Sequence, residues 1–333
     1  MRSALNPSGG VTAGSLDDVV LTVIIVNYNT SSLLAPCIEA LRTSAGSLSM
    51  QVVIVDNASR DGSVELMKEA FADCDLLFNA VNVGFGRANN QACALARGRY
   101  VLLLNTDAFV APDTIGRTVR FLEANPGCGL LGVRLEGRDG SLQPSCRYFP
   151  TPWNEFLSRT GLERWLPRVR MTDDMAWAHD SVRECDWVPG CYYLVRKTVI
   201  DQVGLFDPRF FLYYEEVDHC QRVKGAGWKV VFFADTTVVH YGGESAKSDS
   251  PLTVAGRQID ALQIESALLY HRKHHGVAGL CAAVALTTVG DALLALKWLL
   301  KGRPMVGARS FLAHTKSTWS LLRLTAAGSR PTR

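Results

Sequence analysis

The feature that most constrains the fold is a regular alternation of short apolar stretches with longer amphipathic ones over residues 21–124. Short apolar strands that alternate with helices are typical of βαβ units, in which helices cover both faces of a sheet. The predicted strands are 21–26, 51–55, 75–79 and 100–104, and the predicted helices are 31–43, 62–72, 86–96 and 112–124. We therefore expect an α/β fold with a mostly parallel central sheet.

The alternation is interrupted over residues 147–186, which contain three prolines and three tryptophans. Such an aromatic insertion is either a substrate lid or a plain surface subdomain. After it, we expect strands at 187–195, 228–234 and 236–240, a helix around 215–225 and another at 253–274. The chain thus divides into a flexible N-terminus (1–19), a main α/β domain (20–250) and a helical, basic extension (251–333).

Composition is that of a globular protein with a sizeable core, with 47% hydrophobic and 20% charged residues in 333. The nine cysteines are scattered singly, and residues 1–19 contain no apolar segment typical of a secretory signal. These features favour free thiols in a reducing cytoplasm over a disulfide scaffold or a zinc site.

The C-terminal part of the chain is strongly basic. From His271 onward there are ten Lys and Arg residues against one acid, Asp291, a net charge of 10 − 1 = +9. Basic tails suit nucleic acid or an anionic membrane surface, and the abundance of Leu and Ala here favours the membrane over nucleic acid. Asp291 lies inside the apolar run 277–300, where a charge at the centre of a span costs ~3 kcal/mol. We expect a surface-lying or core-packing helix, with a true span as the alternative.

Two apolar runs end on residues able to hold a metal. One leads into Asn105, Thr106 and Asp107, and the other ends on His240. Strand ends form the rim of the sheet where ligands of open α/β folds bind, and two such ends could hold one divalent cation with positions left for phosphate oxygens. Taken singly, Asp107 could cap a turn and His240 could be an ordinary rim histidine.

The ends of the first two predicted strands also carry polar residues. Asp56 could accept hydrogen bonds from a base imide or a ribose hydroxyl. Asn27, Tyr28 and Asn29 could line a base pocket, with ordinary turn chemistry as the alternative.

A glycine-bearing loop, residues 82–90, leads into a predicted helix, and a helix N-terminus favours anionic phosphate. The glycine fingerprint of dinucleotide sites would instead follow the first strand, where this chain has none. The pattern favours a mononucleotide diphosphate over NAD.

Acidic residues are concentrated at the start of the predicted helix 215–225. Asp218 and Arg222 are four residues apart and are expected to pair. At least one of Glu215 and Glu216 should point into the cleft, where burial and a like charge raise a carboxyl pKa towards the range of a general base. Complementing the helix dipole is the alternative role for Glu215.

In this order, these motifs resemble family 2 glycosyltransferases with the GT-A fold, and in particular their bacterial rhamnosyltransferase branch. The resemblance covers roughly residues 21–276. It is carried by Val26-Asn27-Tyr28-Asn29, Asp56-Asn57-Ala58-Ser59, Asn82-Val83-Gly84-Phe85, Asn105-Thr106-Asp107, Glu215-Glu216-Val217-Asp218-His219-Cys220 and His240. It implies inverting, metal-dependent transfer from a nucleotide-diphosphate sugar, with Mg²⁺ or Mn²⁺.

The resemblance also implies roles for individual residues. Asp107 and His240 match metal ligands, and Glu216 matches the catalytic base. Glu215 is the second choice, because the family usually has Asp after Glu. The expected nucleotide contacts are Asn27, Tyr28, Asn29, Asp56, Asn82, Gly84, Asn89 and Thr106, and the expected sugar or acceptor contacts are Trp187, Gly190, Glu215 and Asp218. Asn105 replaces the first acid of a DXD motif, which predicts modest metal affinity.

The expected reaction moves L-rhamnose from dTDP-L-rhamnose to a hydroxyl of a polyprenyl-diphosphate-linked glycan, in bacterial cell-surface polysaccharide assembly. The basic tail would hold a cytoplasmic, peripheral enzyme at the inner face of the cell membrane. One alternative is a sugar nucleotidyltransferase, but the basic Gly-rich loop of that class is missing after the first strand. The other is a non-catalytic nucleotide-sugar-binding protein, against which Asp107, Glu216 and His240 argue.

Overall fold

A computed structural model describes residues 19–242 and 259–333. Its strands are β1 (Leu21–Asn27), β2 (Met50–Asp56), β3 (Asp75–Phe78), β4 (Tyr100–Leu104), β5 (Ala108–Val110), β6 (Cys128–Glu136), β7 (Leu142–Gln143), β8 (Arg183–Cys185), β9 (Tyr192–Arg196) and β10 (Lys229–His240). Its α-helices are α1 (Ser31–Ala45), α2 (Ser63–Ala70), α3 (Phe85–Cys93), α4 (Thr114–Ala124), α5 (Pro152–Thr160), α6 (Lys197–Val203), α7 (Glu215–Gly225), α8 (Ile259–Leu300) and α9 (Pro304–Leu324).

The described strands form one sheet with the order β3-β2-β1-β4-β9-β6-β10-β5, to which β7 and β8 add at β6 and β10. The strands from β3 to β4 are parallel, as the alternating sequence predicts. The sheet as a whole is mixed rather than mostly parallel, because β9 runs antiparallel to both β4 and β6 and β5 runs antiparallel to β10.

Alternation of side chains along the strands creates two apolar layers. On one face, Val23 and Ile25 pack with α1, α2 and α4. On the other face, Ile24 packs with α3, α6, α7 and the first part of α8, which contributes Leu269 and Tyr270. The helical extension therefore shares the core of the sheet.

Most predicted elements are present, but some bounds differ, and β5, β7, β8, α5, α6 and α9 have no counterpart in the sequence prediction. The strand expected at 187–195 begins only at Tyr192. The two strands expected at 228–240 are one strand, β10, whose pairing with β6 is irregular between Phe233 and Thr237. Strand β6 was not predicted from the sequence. The first residues of the helix expected at 253–274, and residues 1–18 of the expected flexible N-terminus, lie outside the described residues.

The insertion contains α5, whose first turn carries a capping box formed by Thr151 and Asn154, and a short 3₁₀ helix, Leu162–Trp165. The bend within α8 occurs at Gly276, whose φ of 67° lies in the left-handed region. After this bend α8 packs against α5, and α9 folds back along it.

Among the described helices, α8 alone is long and apolar enough to cross a membrane, by length and composition only. However, Asp291 within its apolar run is 4% exposed and bonded to Arg159 of α5 and His314 of α9. This carboxylate is satisfied by protein partners, which offsets the cost of burying a charge within an apolar helix.

Candidate active site

The ends of β1 and β2 are joined by the buried side chain of Asn27. Its Nδ2 donates to Asp56 Oδ1 and to Ser59 Oγ, each at 3.0 Å, and its Oδ1 accepts from Thr30 Oγ1 at 2.7 Å. Since the amide is fully bonded within the protein, Asn27 shapes this rim rather than contacting a ligand through its side chain.

Asn29 and Asp56 order the loop above the same rim. Asn29 has a φ of 52°, and its Oδ1 accepts from the Arg60 amide at 2.7 Å. Asp56 Oδ2 accepts from the Ser59 amide at 2.9 Å. Tyr28 packs beside Phe211 in a small apolar cluster that includes α8. These predicted nucleotide residues therefore lie together, in a preformed polar turn.

The glycine loop is fastened to the segment before α7. Gly84 has a φ of 91°, and a Cβ there would lie 2.5 Å from the Phe211 carbonyl oxygen. The Phe85 amide donates to this same oxygen at 2.8 Å. Asn82 Oδ1 accepts from the Gly84 amide at 2.9 Å. Close approach of the two backbones is thus the reason for glycine at this position.

Asn89 lies one turn into α3, 1% exposed, and its Nδ2 donates to the Phe85 carbonyl at 2.9 Å. This bond stabilises the first turn of α3 and leaves little of the side chain accessible to a nucleotide.

Asp107 and His240 are brought together by the antiparallel pairing of β5 with β10, in which His240 is opposite Ala108. Asp107 Oδ1 lies 3.5 Å from His240 Nε2. Nearby, the hydroxyls of Thr106 and Thr30 are hydrogen-bonded at 2.9 Å. The sequence prediction that these two strand ends meet is therefore matched by the geometry.

Gln143 of β7 orients the histidine. Its Oε1 lies 2.9 Å from His240 Nδ1, and its Nε2 donates to the His240 carbonyl at 2.8 Å. When Nδ1 donates to this amide oxygen, Nε2 faces Asp107, as in histidine ligands oriented by an outer partner, and it would give up its proton to bind a cation. Sequence reasoning missed Gln143, which lies in a two-residue strand without a pattern of its own.

The donor set fits a divalent cation. Two ligand atoms at about 2.1 Å from one ion and at right angles to each other would be roughly 3 Å apart, close to the observed 3.5 Å. Burial alone would lower the pKa of His240, but Cys191 and Asp107 outweigh it and raise the pKa to about 10. The described residues contain no group of three or more His, Cys, Asp or Glu placed to hold a metal, so most coordination positions would fall to other ligands.

Two adjacent glutamates follow a distorted turn at the start of α7. Tyr213 and Tyr214 have φ values of 72° and 68°, a conformation that costs non-glycine residues about 1–3 kcal/mol each. Glu216 lines a cleft of about 950 Å³, whereas Glu215 is 3% exposed beneath it. Among the described residues, neither Glu215 Oε2 nor Glu216 Oε2 has a hydrogen-bond partner.

The environment raises the pKa of both carboxyl groups. Burial raises the pKa of Glu216. Burial, and secondly the charge of Glu216, raise the pKa of Glu215 well above its usual range. A carboxyl group that faces a cleft and holds its proton more tightly than usual suits general-base work, and the geometry favours Glu216 for it.

The insertion forms one wall of the cleft. Arg147 bonds to Asp173 through Nε at 2.6 Å, and its guanidinium lies 4.0 Å from the centre of the Trp187 ring. Glu155 of α5 accepts from the Tyr214 hydroxyl at 2.6 Å and lies 2.7 Å from His271 Nε2 of α8. Sequence reasoning singled out Trp187 but missed Glu155, whose only signal was the aromatic insertion as a whole. It also missed His271, which lies in α8 and had no signal as a site residue.

Two predicted sugar or acceptor residues lie elsewhere. Asp218 is fully buried and bonded to Arg222 at 2.9 Å, His274 at 2.7 Å and Lys273 at 2.5 Å. Its pairing with Arg222 is as predicted, but its oxygens link α7 to α8 and do not reach the cleft. Gly190 packs near Phe85, where a Cβ would make only an ordinary contact at 3.6 Å.

The sequence is similar to a known family and to characterised proteins. Residues 22–179 match the model of the family described as glycosyl transferase family 2. The chain is 29% identical over 249 residues to the N-acetylglucosaminyl-diphospho-decaprenol L-rhamnosyltransferase of Mycobacterium tuberculosis, covering 69% of this chain and 78% of that protein. It is 24% identical over 235 residues to the rhamnosyltransferase WbbL of Escherichia coli, covering 68% and 85% of the two chains.

A solved structure shows the same fold. The mannosyltransferase PcManGT from Pyrobaculum calidifontis, in complex with GDP-Man and Mn²⁺, superposes with a TM-score of 0.50 at 16% identity, over 93% of this chain and 86% of that one. The mixed sheet, the matched family region and the helical extension lead to one conclusion. Residues 22–179 match glycosyl transferase family 2, and the chain has a GT-A-like fold with a helical C-terminal extension.

Proposed function

We propose that this glycosyltransferase is an inverting, metal-dependent rhamnosyltransferase that uses dTDP-L-rhamnose and a polyprenyl-diphosphate-linked sugar. The observation that carries the mechanism is the position of Glu216, with an unpartnered carboxyl oxygen in the cleft of about 950 Å³. The rhamnosyl donor and the lipid-linked acceptor rest on the similarity to the mycobacterial and WbbL enzymes.

The donor nucleotide would lie at the rim formed by β1, β2 and β4. Tyr28 and Asp56 provide an aromatic ring and a carboxylate there, beside the loop at Gly84, and Asn27 and Asn29 hold the turn in place. Asp107 and His240 would hold Mg²⁺ or Mn²⁺ beside the diphosphate. When bound, the cation neutralises charge that develops on the leaving diphosphate.

The transfer step is assigned to Glu216. Its carboxylate removes the proton of the acceptor hydroxyl while that oxygen forms a bond to the anomeric carbon. The bond from this carbon to the diphosphate oxygen breaks on the opposite side, and its electron pair leaves with the nucleoside diphosphate, which inverts the anomeric configuration. A raised pKa suits this step, because the base must hold the proton it takes.

The extension would place the cleft at the inner face of the cell membrane. After Gly276, α8 exposes an apolar stripe formed by Val289, Leu293, Leu296 and Leu300. Helix α9 exposes a second stripe at seven-residue spacing, formed by Met305, Leu312 and Trp319. The same hairpin exposes six basic residues: Lys297, Lys301, Arg303, Arg309, Lys316 and Arg323. Exposed apolar stripes with basic neighbours are typical of helices that lie in an anionic membrane interface.

The test is a donor screen with the purified protein and Mn²⁺. dTDP-L-rhamnose, dTDP-glucose, UDP-GlcNAc and GDP-mannose are offered with a short-chain prenyl-diphospho-N-acetylglucosamine, and nucleoside diphosphate release is measured. We expect release from dTDP-L-rhamnose and an inverted linkage by NMR. Preference for another donor, or a retained configuration, would contradict the proposal, and release of pyrophosphate would indicate a nucleotidyltransferase.

A further inference from the structure

Beside the proposed base, the cleft contains a second group of charged side chains that the transfer step does not use. Arg159 of α5 and His314 of α9 both line the cleft, and both bond to the buried carboxylate of Asp291 in α8. Arg159 Nε donates to Asp291 Oδ1 at 2.8 Å, and His314 Nδ1 lies 2.7 Å from Asp291 Oδ2. Three separate helices thus contribute to one ordered cluster.

Each of the two basic side chains keeps a nitrogen for a ligand. Arg159 contacts Asp291 through Nε and Nη2, and among the described residues its Nη1 has no hydrogen-bond partner. His314 Nε2 also has no hydrogen-bond partner within the described residues. The side chains of Ser158 and Thr287 line the cleft as well. Directed N–H groups of a fixed guanidinium, with hydroxyl groups nearby, are what a phosphate oxygen requires.

The cleft also changes character along its length. Around Glu216 its lining is polar and aromatic, with Arg147, Trp187 and Tyr213. Along α8 the lining includes an apolar stretch, formed by Ile264, Ala267, Leu268, Ala283 and Val284, beside the polar residues Asp260, Gln263, His271 and Thr287. An occupant that fits both parts carries a sugar at one end and a hydrocarbon chain at the other.

We propose that Arg159 and His314, held by Asp291, bind the diphosphate of a prenyl-diphosphate-linked acceptor, with its sugar at Glu216 and the start of its prenyl chain along α8. This rests on the proposed function for the identity of the acceptor. Asp291 is a positioning residue in this site, because its carboxylate fixes both basic side chains and would repel a phosphate directly. The acceptor would thereby be recognised through its linker as well as its sugar.

The experiment measures binding and needs no sugar donor. The full-length protein is titrated with farnesyl diphosphate and with farnesol, which differ only in the diphosphate. We expect the diphosphate to bind at least about tenfold more tightly, and Arg159→Gln to remove about tenfold to a hundredfold of that affinity while farnesol binding is unchanged. The exposed Arg164, in the neighbouring 3₁₀ helix, provides the matched control variant Arg164→Gln.

A second variant separates recognition from folding. Arg159→Gln leaves Asp291 with one partner fewer, whereas Arg159→Gln combined with Asp291→Asn removes both charges and restores a neutral pair. Both variants should lose preference for the diphosphate. Equal affinity for the two ligands in the wild type, or an unchanged preference in both variants, would overturn the proposal.

Two further arms locate the source of the phosphate. Binding to phosphatidylglycerol vesicles should be the same for wild type and Arg159→Gln. If Arg159→Gln loses vesicle binding together with farnesyl diphosphate binding, the site recognises a lipid headgroup instead. The donor screen tests a separate point. If the protein prefers another nucleotide sugar but binds farnesyl diphosphate through Arg159, the present inference stands and the rhamnosyl assignment is wrong.

Discussion

Oδ1 of Asp107, the residue before β5, lies 3.5 Å from Nε2 of His240, the last residue of β10. Gln143 holds the far side of the imidazole ring at 2.9 Å. The pair is thus oriented by a third residue, and this arrangement leads to the first prediction.

Replacing Gln143 with leucine should weaken the binding of Mn²⁺ by about 10- to 100-fold, because outer hydrogen bonds fix the orientation of a histidine ligand. Asp107→Asn should abolish the Mn²⁺-induced rise in melting temperature in the presence of dTDP. The measurement is a thermal shift titration with Mn²⁺, and Asp139→Asn, on the exposed turn between β6 and β7, is the control. An undiminished shift in Asp107→Asn would exclude Asp107 as a ligand.

Replacing Glu216 with glutamine should lower kcat by about 10²- to 10⁴-fold, since the amide cannot accept the acceptor proton. Donor binding should stay near the wild-type value, because the carboxyl group faces the cleft and not the strand ends. Steady-state kinetics and a separate titration with dTDP distinguish the two effects. A fully active Glu216→Gln beside an inactive Glu215→Gln would move the base to Glu215.

Glu215→Gln should raise the melting temperature at neutral pH. Burial and the charge of Glu216 raise the pKa of Glu215 in the folded state, so the native protein binds this proton more tightly than the unfolded chain does. The contribution of this carboxyl group to the free energy of unfolding is greatest below its unfolded pKa of about 4.3. That contribution is lost as the pH rises through its pKa in the folded protein. Glutamine avoids that loss, and the difference in melting temperature should therefore grow between pH 4 and pH 8. A difference independent of pH would contradict this.

Gly84→Ala should destabilise the protein more than Gly62→Ala. Both glycines have a positive φ, 91° and 83°, but a Cβ at Gly84 would overlap the Phe211 carbonyl while the space at Gly62 is open. The backbone at Gly84, with a ψ of 162°, is also less accessible to alanine than the left-handed backbone at Gly62, with a ψ of 6°. The difference between the variants therefore combines this backbone cost with a steric cost of about 1–3 kcal/mol for overpacking. Urea unfolding of the two variants measures it, and equal losses of stability would refute the argument from close approach.

Substituting acid at the tip of the hairpin, Leu300→Glu with Met305→Glu, should reduce binding to anionic vesicles. These side chains are 81% and 63% exposed, so the change costs little folding stability but removes apolar contact and adds repulsion. Co-sedimentation with vesicles over a salt series is the measurement, and Leu95→Glu, in the exposed turn after α3, is the control. Full retention by the double variant would exclude the tip as a contact with the membrane.

The parts of the site that could be predicted are those attached to strand ends. Asp107 and His240 stand at the ends of apolar strands. Because such strand ends meet at one rim of the sheet, the sequence alone predicts that the two residues lie close together. The acidic helix start predicted that Glu215 or Glu216 would face the cleft, and the resemblance to family 2 glycosyltransferases selected Glu216, which lines it.

The parts that could not be predicted depend on long-range packing. Gln143 and Glu155 reach the site from a two-residue strand and from the insertion, which show no periodic pattern. Asp218 was misplaced because its partners Lys273 and His274 belong to the extension, more than fifty residues later. The mixed sheet has the same origin: the direction of β9 depends on where the insertion returns the chain.

The left-handed turn at Tyr213 and Tyr214 has a consequence for anyone who would make this protein more heat-resistant. Glycine at either position would adopt the same backbone angles without penalty, so selection for stability alone would tend to introduce it there. Tyr214, however, also donates its hydroxyl to Glu155, and glycine would remove that bond together with the ring that packs on Tyr270. Tyr214→Gly would therefore relieve the backbone but loosen the wall of the cleft that Glu216 faces.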